Sequence, residues 1–121
     1  MKIIPLSKEN HRNWSYTGLP HYRHTVKDSI VPILIAEIGR LISINPIVFI
    51  EEEQKLGLFS LQSLMPESNL MIDAKGLWVT DYIPARYRSL PFVLASDQKD
   101  ENKESKILCY VENLKCVAEK F

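Results

Sequence analysis

The densest set of chemically capable side chains lies between Trp78 and Arg88, where Trp78, Tyr82, Arg86, Tyr87 and Arg88 share one short segment around Pro84, with Pro91 and Phe92 just beyond. Guanidinium groups among aromatic rings can hold phosphates while bases stack, as in single-strand binders. The same side chains, with His11 nearby, could instead form a small-molecule or catalytic site. A structural use competes with both. Pro84 presets φ for a turn of helix over 85–90, and Pro91 ends that turn and sends Phe92 into the core as a strand begins. The arginines would then satisfy carbonyls or acids at the corner. The tight proline bracket favours this structural use.

Other groups have simpler explanations. Glu51, Glu52 and Glu53 could do acid and base work only if burial held them at a fixed separation, and three consecutive acids in a turn are expected to be hydrated. Asp73 and Asp81 flank Trp78, but turn formation accounts for the first and a strand end for the second. His21 and His24 stand three apart beside Pro20 without an acidic or thiol partner close by, so no metal site is expected. No serine sits in a G-x-S-x-G elbow, and the four glycines form no phosphate loop. No cofactor is expected, and a non-enzymatic chain is the preferred reading.

Composition narrows the class further. The 121 residues are 45% hydrophobic and 25% charged, which suits a globular domain with a real core. Fifteen basic and fifteen acidic side chains cancel. No long-range field then steers a polyanion to the chain, and nucleic acid is not an expected partner. The basic residues up to Lys27 (Lys2, Lys8, Arg12, Arg23 and Lys27) face only Glu9 and read as a solvated segment. Cys109 and Cys116 are expected to be reduced, since two thiols make no disulfide framework. The N-terminal apolar run stops at Pro5 and Leu6, so no secretory signal is read. The apolar stretch 30–50 carries Glu37 and Arg40 near its centre, a costly pair in hydrocarbon, and no membrane span is expected. A cytoplasmic protein follows, with the cell envelope or surface as the alternative.

The elements that would position the corner can be read coarsely. Residues 1–27 lack a sustained period apart from a short strand near Lys2–Ile4. Ser29 as a cap, Pro32 in a first turn, and Val31, Leu34, Ile35, Ile38 and Ile42 at helical spacing predict one amphipathic helix ending near Asn45. Ile33 and Ile44 fall opposite its main stripe, so something else is expected to cover them: the N-terminal arm, a segment absent from this chain, or, by preference, a protein partner or a second copy. IVFIEEEQKLGLFSL predicts two strands around a polar turn at 51–54. LMIDAKGLWV predicts another turn, with Gly76 at positive φ and Leu77–Val79 returning as a strand. PFVLAS and ILCYVE are two further strands, joined by a mobile charged loop over 97–106. The sum is an α+β fold, one amphipathic helix packed on a mainly antiparallel sheet of short strands in a single domain, 1–121.

These motifs together resemble a known family. The order VPILIAEIGRLISINPIVF, then Gly57 and Leu58, then NLMIDAKGLWVTDYIPARYRSLPFVLA is similar to the bacterial SapC family, named for an S-layer-associated protein. The matching positions are Val31, Pro32, Glu37, Pro46, Ile47, Val48, Phe49, Trp78, Tyr82, Pro84, Ala85, Arg88, Pro91 and Phe92, with Asn10, His11 and Arg12 like the family's opening. Family members are generally longer, so the resemblance implies the N-terminal part of a longer fold. It also implies surface-layer biology and a role in contacting other proteins, in assembly or export of envelope components, without supplying catalytic residues. Where the family tends to carry another large or basic residue, this chain has Ser89 and Leu90.

Overall fold

The computed structural model describes residues 2–96 and 105–119. In chain order its elements are strand β1 (Ile3–Pro5), helix α1 (Lys8–His11), β2 (Ser15–Tyr16), β3 (Ile30–Pro32), helix α2 (Ile38–Leu41), β4 (Ile47–Glu52), β5 (Lys55–Leu61), helix α3 (Ala85–Arg88), β6 (Phe92–Ser96), β7 (Lys106–Val111) and β8 (Val117–Ala118). A 3-10 turn at Ile35–Glu37 leads directly into α2. The strand pairs among the described residues are antiparallel, and with the short helices they give the expected α+β class. The chain divides into two compact units, Pro20–Arg88 and a discontinuous one of Met1–Leu19 with Ser89–Phe121.

In the Pro20–Arg88 unit the strands lie in the order β3-β5-β4. The β4–β5 hairpin forms as its alternation predicts, closing at Glu53 and Gln54 with φ of 50° and 65°. Positive φ at both loop residues matches the right-handed twist of the flanking strands. Val31, Ile33, Leu41 and Tyr87 form the buried core, with Ile47, Leu58, Trp78, Tyr82 and Ile83 packed against it. Buried Asn45 closes the region by donating from Nδ2 to Ser60 Oγ at 3.2 Å.

The expected helix over 29–45 is much shorter, and its face is different. Ile30 and Val31 pair with Leu61 and Ser60 as a strand. The Ile33 N–H donates to the Leu58 carbonyl and the Gln62 N–H donates to the Ser29 carbonyl, so the odd-numbered residues face β5. Pro32, with no N–H, falls on the outer side, where edge strands tolerate proline. Ile33 is therefore a core residue off the helix, not part of a partner surface, and Ile44 is half-buried. Leu34, Ile35 and Ile42 from the expected buried stripe are exposed. A second correction concerns 70–79. The turn at Asp73–Gly76 is present with Gly76 at φ 80°, but the returning strand reduces to a single bridge between Ile72 and Trp78.

In the other unit β7 sits between β1 and β6, and β2 pairs with β8. Cys109, Tyr110, Val111 and Cys116 are buried there, both thiols free. Phe92 packs edge-on against Tyr16 at 4.9 Å between ring centres. The charged stretch at 97–106 lies outside the described residues as far as 104, and Lys106 opens β7.

Candidate functional site

The corner is built around a carboxylate that lies 37 positions into the chain. Glu37 sits in an otherwise apolar run and is only 4% exposed. A buried carboxylate must find donors to remain ionised. Its Oε2 accepts the Leu34 N–H at 2.8 Å, which closes the first turn ahead of α2 in the manner of a capping box. Its Oε1 accepts the Tyr82 hydroxyl at 2.8 Å and the Ala85 N–H at 2.6 Å. Ala85 is the first residue of α3, whose free amides would otherwise lack partners. One side chain thus caps two helical segments.

Arg88 completes the arrangement. Its Nε donates to the Ile83 carbonyl at 2.8 Å and its Nη2 to the Tyr82 hydroxyl at 3.0 Å. Its guanidinium carbon lies 5.1 Å from the centre of the Tyr82 ring, with that of Arg40 at 6.0 Å. Burial pushes the Glu37 pKa up, but the Leu34 and Ala85 amides, the Tyr82 hydroxyl and the Arg88 charge outweigh it, and the net shift is downward. For Tyr82, burial and the hydrogen bond and charge of Glu37 raise the hydroxyl pKa despite the opposing guanidinium. Glu37 stays ionised and Tyr82 stays protonated, so the pair is matched as acceptor and donor.

Trp78 joins through a hydroxyl. Its Nε1 donates to Thr80 Oγ1 at 2.9 Å, and that hydroxyl donates to the Tyr82 carbonyl at 3.2 Å. The indole also packs on Tyr22 and Tyr87, at 5.8 and 5.5 Å between centres. Tyr87 donates to Asp28 Oδ2 at 2.9 Å and accepts from Gln62 Nε2 at 3.2 Å, while the same amide nitrogen donates to the Asp28 carbonyl. Gln62 is 1% exposed, and its Oε1 is buried without a partner among the described residues. Burial, then the Asp28 bond and charge, raise the Tyr87 pKa well above the ordinary phenol value.

The residues expected at the site are thus distributed unevenly. Tyr82 and Arg88 meet directly, Trp78 reaches them through Thr80, and exposed Arg86 contributes charge that opposes the rise at Tyr87. His11 lies in the other unit, where its Nδ1 accepts the Ser7 N–H and its ring meets Trp14 and Tyr110 edge-on at 4.8 and 5.4 Å. Burial lowers the His24 pKa, Asp28 opposes this, and the His21 charge adds to it. Among the described residues no group of three or more His, Cys, Asp or Glu is placed to hold a metal, and no helix is long and apolar enough to cross a membrane. One surface concavity lies at the hairpin tip, lined by Ile50, Glu52, Glu53, Lys55, Leu56, Gly57 and Phe59, and another, in the other unit, is lined by Lys8, Glu9 and Arg12.

Glu37 is the participant that reading for reactive clusters passes over. Its signal is isolation, a single acid inside an apolar run, which requires a partner wherever the run is buried. Both Glu37 oxygens, the Tyr82 hydroxyl and the Arg88 Nε and Nη2 are engaged within the unit. The network can hold a shape. The SapC family model matches residues 6–120. No curated protein and no solved structure matches the chain.

Proposed function

The chain belongs to the SapC family, and from that premise we propose that it is a non-enzymatic interaction protein, contacting another protein in the assembly or export of surface-layer or other envelope components. The observation that carries this reading is the exposure of Leu34 and Ile35, 62% and 81%, directly beside the Glu37 clamp. Glu37 holds the Leu34 amide, so the turn presenting these two apolar side chains to water is fixed by a buried carboxylate. Preorganised apolar groups lose little freedom on binding, which suits a protein contact. The small-molecule alternative at Trp78, Tyr82, Arg86 and Arg88 would have to use an Arg88 whose Nε and Nη2 already hold Ile83 and Tyr82. Envelope or surface-layer assembly enters through the family's name.

The test is a pull-down of the tagged full chain from its native extract beside an Ile35→Asp variant. A stoichiometric protein bound by the parent and lost by the variant, with unchanged melting, supports the reading. A chain that stays alone in the extract overturns it. A retained small molecule that disappears in Arg88→Ala replaces it with the ligand reading.

A further inference from the structure

Strand β4 is the outer strand of β3-β5-β4. The Leu61 N–H donates to the Pro46 carbonyl, and Glu52 and Lys55 flank the two-residue loop. In an antiparallel ladder residues alternate between bonding the neighbour and pointing away. The even positions 46, 48, 50 and 52 therefore face β5, and Ile47, Phe49 and Glu51 direct their N–H and C=O groups outward. No hydrogen bond from these outward groups is found among the described residues. The strand reads IVFIEE, with none of the lysines, prolines or bulges that usually blunt an edge. Its central side chain, Phe49, is 72% exposed.

We propose that β4 pairs with β4 of a second copy of this chain, antiparallel and centred on Phe49, to form one continuous sheet across a two-fold axis. The strand's own layout selects this occupant. With Phe49 opposite Phe49 of the second copy, Ile47 falls opposite Glu51 and Glu51 opposite Ile47, so the positions with outward backbone groups meet only one another and each pair exchanges both bonds. Val48 then faces Ile50, and Glu52 faces Pro46. Charge follows the same logic. The acids Glu51, Glu52 and Glu53 gather at one end of the strand, and the antiparallel arrangement places each cluster beside the apolar start of the other strand, never acid against acid. The Phe49 rings become cross-strand neighbours on one face. This surface is separate from the Leu34 and Ile35 contact, and the two readings stand or fall independently.

Sedimentation of the full chain across the micromolar to sub-millimolar range should show a monomer–dimer equilibrium. Phe49→Lys and Phe49→Glu each place like charges directly opposite and should weaken it about tenfold or more. Mixing the two variants should restore a dimer, because each lysine then faces a glutamate, an outcome that misfolding of either variant would not produce. Phe49→Cys adds a positional check. A hydrogen-bonded antiparallel pair sets its Cα atoms about 5.5 Å apart, within disulfide reach, and the native thiols at Cys109 and Cys116 are buried. Mild oxidation should cross-link Phe49→Cys and leave Leu56→Cys, exposed on β5, uncross-linked. A parent chain monomeric at every concentration, a mixture that stays monomeric, or cross-linking at 56 in place of 49 overturns the proposal.

Discussion

Glu37 accepts the Ala85 amide at 2.6 Å although 48 positions separate the two residues. That bond, with the one to Leu34, fixes two helix starts from one carboxylate. Glu37→Ala should leave both amides and the Tyr82 hydroxyl without their acceptor in a buried site, a loss of about 3–5 kcal/mol. Glu37→Gln keeps one acceptor oxygen and should lose about 1–3 kcal/mol. Urea denaturation measures both, and equal losses would show that the retained shape and single acceptor oxygen contribute nothing, leaving the ionised carboxylate as what Glu37 supplies.

The same carboxylate gives stability an acid dependence of definite sign. Its folded pKa lies below the ordinary 4.5 because the donors around it outweigh burial. As pH falls through that ordinary value the unfolded chain takes up the proton first, so Glu37's contribution is full above it and declines on the acid side until the folded carboxyl also protonates. Melting temperatures of the parent and Glu37→Gln should therefore converge as pH drops from neutral toward and below 4.5. A constant gap between them across that range contradicts the assignment.

Tyr87 predicts the opposite limb. Burial first, then Asp28, hold its hydroxyl protonated beyond the ordinary value of 10.0. Its contribution is present below that value and is lost as pH rises, because the unfolded phenol ionises first. Phenolate absorbance should show one tyrosine that ionises only on alkaline unfolding. Asp28→Asn should bring that titration down part of the way, since burial, the larger cause, remains.

Gly76 tests the turn beneath Trp78. At φ 80° it adopts a conformation that L side chains rarely enter, and a Cβ there would run into the Arg23 Cγ. Gly76→Ala should cost about 1–3 kcal/mol, and because the Gly76 carbonyl accepts the Tyr22 N–H, it should also alter Trp78 fluorescence through the Tyr22 ring. An unchanged midpoint would mean that the backbone relaxes there freely.

The strands on either side of Glu53 and Gln54 were legible because their alternation and polar turn depend on neighbours close in sequence. Pro84 as a helix opener was legible for the same reason: its carbonyl accepts the Tyr87 and Arg88 amides as the turn requires. The run SIVPILI was not. Its apolar residues fit a helical stripe and a buried strand equally well, and pairing with β5 decides between them. That decision moved Ile33 inward and left Ile35 in water. Within the candidate site, Tyr82 and Arg88 could be picked out by type, whereas their tie to Glu37 depends on a long-range contact that no local spacing encodes.

One unit is assembled from both ends of the chain, with β1 and β2 pairing to β7 and β8, while every strand partner of β3, β4 and β5 lies within Pro20–Arg88. During synthesis the hairpin and the Glu37 clamp can form as soon as Arg88 clears the ribosome, since domains generally acquire structure as their own contacts emerge. Strand β1 must wait, unpaired, until β7 has been translated. Strands made early in this unit are thus placed late.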